Sequence, residues 1–209
     1  MKISFLGDSI TEGCGASEYG KGFVEVLGKK LGVEVRNYGI GGTRIAKNKT
    51  LSAYHGWDMY FSSRFDFIDE DSDFLFVFGG TNDYGHGDAL MGDIKDETDL
   101  TFYGALNNLI GKCVKQFGKD KICFILPLRR YGDETKNANG YVLKDYVNAL
   151  KTVLKEKCID FIDLYNNGLP LPTTDTGDEW TVDGLHPNDK GHEFLAETLI
   201  EYLKNKKVI

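Results

Sequence analysis

Cysteine and proline are scarce in this chain, with 4 of each among 209 residues. Cys14, Cys113, Cys123 and Cys158 are widely spaced and form no C-x-x-C pair. A disulfide framework or a cysteine zinc site is therefore excluded as the basis of the fold, and reduced thiols in a cytoplasm are expected. No apolar run approaches the roughly 20 residues of a membrane helix. The start, Met1 to Asp8, has no long apolar segment and carries an acid at its end, which does not fit a signal peptide and again points to the cytoplasm. Basic residues are outnumbered: 25 Lys plus Arg against 32 Asp plus Glu leave a net charge of −7. A nucleic-acid surface, which needs clustered Lys and Arg, is not expected. No G-x-G-x-x-G follows the first apolar run, and there is no Walker lysine. His186 and His192 stand six apart, not at the helical i, i+4 spacing of a metal pair. No metal or cofactor is expected.

Hydrophobic residues at 41% and charged residues at 27% describe an ordinary globule. The length suits one domain over residues 1–209. Short apolar runs recur at Lys2–Leu6, Val33–Tyr38, Phe74–Phe78, Ile122–Leu126 and Ile159–Leu164, bounded by Gly, Asp, Asn or Pro. They read as strands buried on both faces of a parallel sheet. Apolar stripes at helical spacing alternate with them. These are Phe23 to Leu31 with Gly32 as a stop, Phe61 to Ile68, Phe102 to Phe117, Leu143 to Leu154, and Phe194 to Leu203 capped by Asn188 or Asp189. Five-fold strand–helix alternation predicts a three-layer α/β/α sandwich with a five-stranded parallel sheet in the order 2-1-3-4-5. Residues 43–60 and 84–97 break the rhythm and read as long loops of a kind that is often functional.

Ligands of such sheets bind beyond the carboxyl ends of the strands. Four polar blocks fall there: Gly7-Asp8-Ser9-Ile10-Thr11, Asn37-Tyr38-Gly39-Ile40-Gly41-Gly42-Thr43, Gly79-Gly80-Thr81-Asn82-Asp83, and Asp183-Gly184-Leu185-His186-Pro187. Each has a plain structural reading, as a helix cap, a tight turn, an Asx turn and a solvated loop. Together they have another. A serine nucleophile needs an imidazole with one nitrogen free and the other held, and Asp183, three residues before His186, can hold it. It also needs donors for a developing oxyanion, which glycine-rich amides and the Asn82 side chain can supply.

In these blocks the chain resembles the SGNH hydrolases of the GDSL esterase/lipase superfamily. The resemblance covers residues 7 to 187 and implies a flavodoxin-like sandwich. It carries over Ser9 as nucleophile and first oxyanion donor, Gly42 as second donor with Gly41 the adjacent register, Asn82 as third donor, and Asp183 and His186 as the rest of a triad. The reaction implied is acyl transfer to water through an acyl-enzyme. The substrate is expected to be a small-molecule ester of a short acyl group, a carbohydrate O-acetyl among them. A lysophospholipase or thioesterase would apply the same chemistry to longer chains, and a non-catalytic flavodoxin-like binding module is the alternative from a different class.

Asp8, Tyr54, Trp57 and Trp180 are candidate substrate contacts, with packing as the competing role for the aromatics. His55 and His86 lie in the long loops, where histidine is usually solvated, and His192 reads as a packing or surface residue. The acidic residues from Asp88 to Asp99 read as a solvated face. Arg129 and Arg130, at the end of the fourth strand, would either offset that charge near the cleft or pair with surface carboxylates.

Overall fold

The structure, a computed structural model, describes residues 1–209. Five parallel strands, β1 (Lys2–Gly7), β2 (Glu34–Gly39), β3 (Phe74–Phe78), β4 (Ile122–Ile125) and β5 (Asp160–Ile162), lie in the order β2-β1-β3-β4-β5, as the alternation predicts. Helices are α1 (Ser9–Glu12), α2 (Phe23–Leu31), α3 (Phe61–Arg64), α4 (Thr81–His86), α5 (Phe102–Phe117), α6 (Leu143–Glu156), α7 (Leu164–Asn167) and α8 (Asp189–Asn205). Asn188 caps α8 by accepting from the Gly191 amide at 3.1 Å.

The sheet separates two apolar layers. In β3, Phe74, Phe76 and Phe78 point to α2 and α8, while Leu75 and Val77 point to α5 and α6. This is the two-residue period of a strand covered on both sides. Burial on both faces holds for β1, β3 and β4 but not for β2 and β5, whose residues are half-buried or exposed. Those two are the sheet edges. Their mixed sequences (Glu34-Val-Arg-Asn-Tyr-Gly39 and the short Asp160-Phe-Ile162) are what an edge tolerates. The Phe61–Ile68 stripe forms only one turn of α-helix followed by a 3₁₀ turn, Phe65–Phe67. No helix is long and apolar enough to cross a membrane.

The chain leaves β1 toward β2 and returns to β3 on the other side of β1. Strand order therefore reverses between β1 and β3, and Gly7 is level with Gly39 on one neighbour and Phe78 on the other. The three blocks after these strands emerge side by side at the switch point, where such sheets bind ligands.

The two long loops are not free-standing. Residues 84–86 belong to α4, and His55–Asp58 forms a 3₁₀ turn. Asp88 accepts from the amides of Lys49 and Thr50 at 2.7 and 2.8 Å, and Lys47 donates to the Asp99 carbonyl at 2.8 Å. The acidic stretch therefore fastens one loop to the other in addition to facing water.

Candidate active site

Ser9 opens α1 directly after β1. Asp8 is the cap, its Oδ1 accepting from the Ile10 amide at 3.1 Å. As the first residue of α1, Ser9 has an amide with no intrahelical acceptor. Its Oγ lies 2.9 Å from His186 Nε2, across 177 residues of sequence. His186 Nδ1 lies 2.6 Å from Asp183 Oδ2. The carboxylate at Nδ1 assigns the ring proton there and turns the Nε2 lone pair to Ser9.

The turn bearing Asp183 and His186 is built by its own backbone. Asp183 Oδ1 accepts from the Leu185 and His186 amides at 3.0 and 2.7 Å. Gly184 has φ +74°, and a Cβ there would lie 2.4 Å from the Thr174 carbonyl, so the turn requires glycine. Partial burial would raise the Asp183 carboxyl, but the bonds from the His186 ring and the two amides outweigh it and hold the group below its ordinary range.

Gly41 and Gly42 have different fates. The Gly41 amide donates to Glu12 Oε2 at 2.7 Å, whereas the Gly42 amide has no acceptor in the protein. Gly42 has φ +73°, and a Cβ on it would lie 2.2 Å from Trp57 Nε1, so the indole rests on its α-carbon. Asn82 Nδ2 donates to the Thr43 carbonyl at 3.0 Å, which leaves its second hydrogen free. Removing the Glu12 anchor should loosen the loop: Glu12→Ala is expected to lower kcat about five- to tenfold with KM little changed, read in steady-state kinetics. A rise in KM alone would show that Glu12 orders something other than this loop.

Buried arginines brace the site, and sequence reasoning missed both. Arg64 donates to the Gly7 carbonyl at 2.5 Å, to Thr43 Oγ1 at 2.9 Å and to the Tyr38 carbonyl, joining the ends of β1 and β2 to the Gly42 loop. Burial lowers it to about 10, still charged at neutral pH. Arg44 donates to Ser52 Oγ, the Trp57 carbonyl and Asp58 Oδ1, each at 3.0 Å, and contacts His86 Nδ1 at 2.8 Å. Burial and then the Arg44 charge push His86 down to about 4, so it is neutral. Arg44 adjoins the glycine block, a signal that could have been read. Arg64 lies 57 residues from Gly7 in sequence and gave none.

The structure separates the candidate substrate contacts. Trp57 lies against Gly42, with Tyr54 and His86 rings at 4.9 and 4.8 Å from it. Tyr54 is exposed. Asp8 is not available to substrate: it is 1% exposed beneath α1. Trp180 packs edge-on to Phe194 at 6.0 Å under the Lys190 ammonium, and its carbonyl accepts from the Asn188 amide at the base of the turn. His192 is fully buried, accepting from the Phe23 amide at 3.3 Å and facing the Cys14 carbonyl at 3.1 Å. His55 is exposed. Surface hollows at Lys30–Glu197 and Asp66–Lys112 contain neither Ser9 nor His186, which stand at the strand ends.

Residues 5–194 match the model of the GDSL-like Lipase/Acylhydrolase family. The chain belongs to that family. A solved structure of a protein from Lactobacillus plantarum is 30% identical over 98% of this chain and 96% of its own, with a TM-score of 0.83. A possible lipase from Chitinophaga pinensis (22% identity, 100% and 99% covered, TM-score 0.76) and a lipase/acylhydrolase from Enterococcus faecalis (23%, 98% and 96%, 0.66) share the fold. No curated protein matches the chain. As a GDSL-family hydrolase, the protein cleaves acyl esters.

Proposed function

We propose that this GDSL hydrolase cleaves esters of short acyl groups through an acyl-enzyme on Ser9. Nε2 of His186 takes the Ser9 proton as Oγ attacks the ester carbonyl. Asp183 holds the ring tautomer and stabilises the imidazolium. The Ser9 and Gly42 amides and the free Asn82 hydrogen receive the oxyanion. The leaving alcohol takes the proton from His186, and water, activated by the same base, releases the acid. The reading is carried by the unbroken line of hydrogen bonds from Ser9 through His186 to Asp183, 2.9 and 2.6 Å long.

A short acyl group is favoured by Trp57, whose indole closes over Gly42, the proposed second oxyanion donor. Its ring, flanked by Tyr54, suits stacking on a carbohydrate. The second reading, a longer acyl chain, draws on Leu51, Tyr54 and Met59, exposed apolar residues of the same loop. Acyl esters from C2 to C12 decide between them: kcat/KM is expected to peak at C2–C4, and preference for C8 or longer would overturn the short-acyl reading. A fluorophosphonate probe is expected to label Ser9 in the folded protein; absence of labelling would leave a binding module instead. Asn82→Ala is expected to lower kcat about 100- to 1,000-fold, as the loss of one oxyanion donor does elsewhere, with the single-turnover acylation rate as the check.

A further inference from the structure

Arg130 is the arginine whose donors are least used. Of its five N–H groups, only those on Nη1 find partners, Thr81 Oγ1 at 3.3 Å and the Thr81 carbonyl at 3.5 Å. It makes no ion pair, although Arg36, Arg44 and Arg129 all do. Arg64, the other arginine without a carboxylate, is spent on backbone carbonyls. The two carboxylates on either side of Arg130 are taken. Asp133 is held by Arg129 through both oxygens, and Asp183 by His186 and two amides.

Its position is fixed by what it touches. The guanidinium stands 5.7 Å over the Tyr84 ring and against Gly85, on α4, the helix that carries Asn82. The next residue, Tyr131, donates its amide to the Gly184 carbonyl at 2.8 Å, in the turn between Asp183 and His186. Arg130 thus bridges the oxyanion side and the general-base side of the cleft. It is half-buried, and burial lowers its proton affinity, though an arginine remains charged. A half-buried guanidinium with open donors beside a reacting centre fits a planar or tetrahedral anion.

We propose that the substrate carries an anionic group, a carboxylate or a phosphate, which Arg130 binds at the rim of the cleft. Resting on the short-acyl reading above, this assigns the anion to the alcohol part of the ester, since an acetyl group has none. In a chain of net charge −7, one local cation is what lets such a substrate approach.

The test follows acetate release from acetylated glucose, acetylated glucuronate and acetylated glucose 6-phosphate. The native protein should prefer one anionic ester over the neutral one by about ten- to a hundredfold in kcat/KM, through KM, and 0.5 M salt should shrink the preference. Which of the two is preferred tells carboxylate from phosphate. Arg130→Gln should bring the anionic-to-neutral ratio close to one, and Arg130→Lys should restore part of it. A merely structural arginine would lower both rates alike and leave the ratio where it was, and that overturns the proposal. So does a native protein with no anionic preference, which needs no variant to fold. If none of the three acetates nor any ester from C2 to C12 is cleaved and Ser9 takes no fluorophosphonate, the hydrolytic reading itself has failed, a distinguishable result.

Discussion

Ser9→Ala is expected to remove about four orders of magnitude or more of turnover while leaving the fold intact. The Ser9 side chain makes one hydrogen bond, to His186, and carries no part of the helix cap, which is Asp8. Losing Oγ therefore takes away the bond-forming atom and little structure. Folding stability should change by roughly 1 kcal/mol or less, the net worth of one hydrogen bond. The oxyanion donors remain in the variant, so residual catalysis well above water is consistent with the mechanism. Turnover within tenfold of native would place the nucleophile elsewhere, and circular dichroism with urea unfolding separates that result from a collapsed fold.

Asp8→Asn is expected to stabilise the protein progressively as pH rises. Burial pushes the Asp8 carboxyl up to about 7, and the amide of Ile10, the neighbouring His186 ring and the Arg64 charge only partly oppose this. Its Oδ2 is buried without a donor. Below about pH 4 both folded and unfolded chains hold the proton, and no penalty exists. Between about 4 and 7 the unfolded chain releases the proton and the folded one keeps it, so stability falls with each pH unit. Above about 7 the whole cost remains, of the order of 4 kcal/mol for a shift of about three units. Asparagine has no charge to desolvate and still accepts from Ile10, since both residues cap helices well. The difference in unfolding free energy between Asp8→Asn and the native chain should be near zero at pH 4 and grow by up to about 4 kcal/mol by pH 8. A difference independent of pH would mean that Asp8 does not titrate there. Asp83, raised by burial to about 6 and held by the Ile45 and Ala46 amides, adds a dependence of the same sign. His86 and His192, both depressed by burial, act in the opposite sense by favouring the unfolded chain below about pH 6.5.

A buried, partly unsatisfied carboxyl next to Ser9 destabilises the fold at the proposed active site. When ionised, it favours a positive His186 ring, which suits the proposed acylation better than the resting protein. Local cost at a functional position of this kind is compensated by the rest of the core.

The layered fold was legible because period and punctuation agree along the chain. Five apolar runs, each followed by a helical stripe, allow few topologies once crossovers must be right-handed, and the observed order is among those few. Edges were only partly legible: the Glu, Arg and Asn of β2 and the Asp of β5 mark mixed strands, but their place in the sheet is what leaves one side open. The residues now grouped at the strand ends were legible as blocks because each lies where a strand stops. Nearness in sequence to His186 did not say which side of the turn the Trp180 ring takes; the fold packs it on Phe194.

What the sequence determined by itself is the set of local instructions: strands, helices, the Asp8 cap, the Asp183–Gly184 turn that aims His186, and the family those blocks share. These are short-range matters of propensity and hydrogen bonding. Tertiary structure decided the rest. It set the 2.9 Å between Ser9 and His186, and it bound the Gly41 amide to Glu12 while leaving the Gly42 amide without an acceptor. It also set the Arg64 and Arg44 braces and the open donors of Arg130. Those depend on which groups meet from opposite ends of the chain, and the partner that satisfies a buried charge is a property of the folded surroundings, not of its neighbours in sequence.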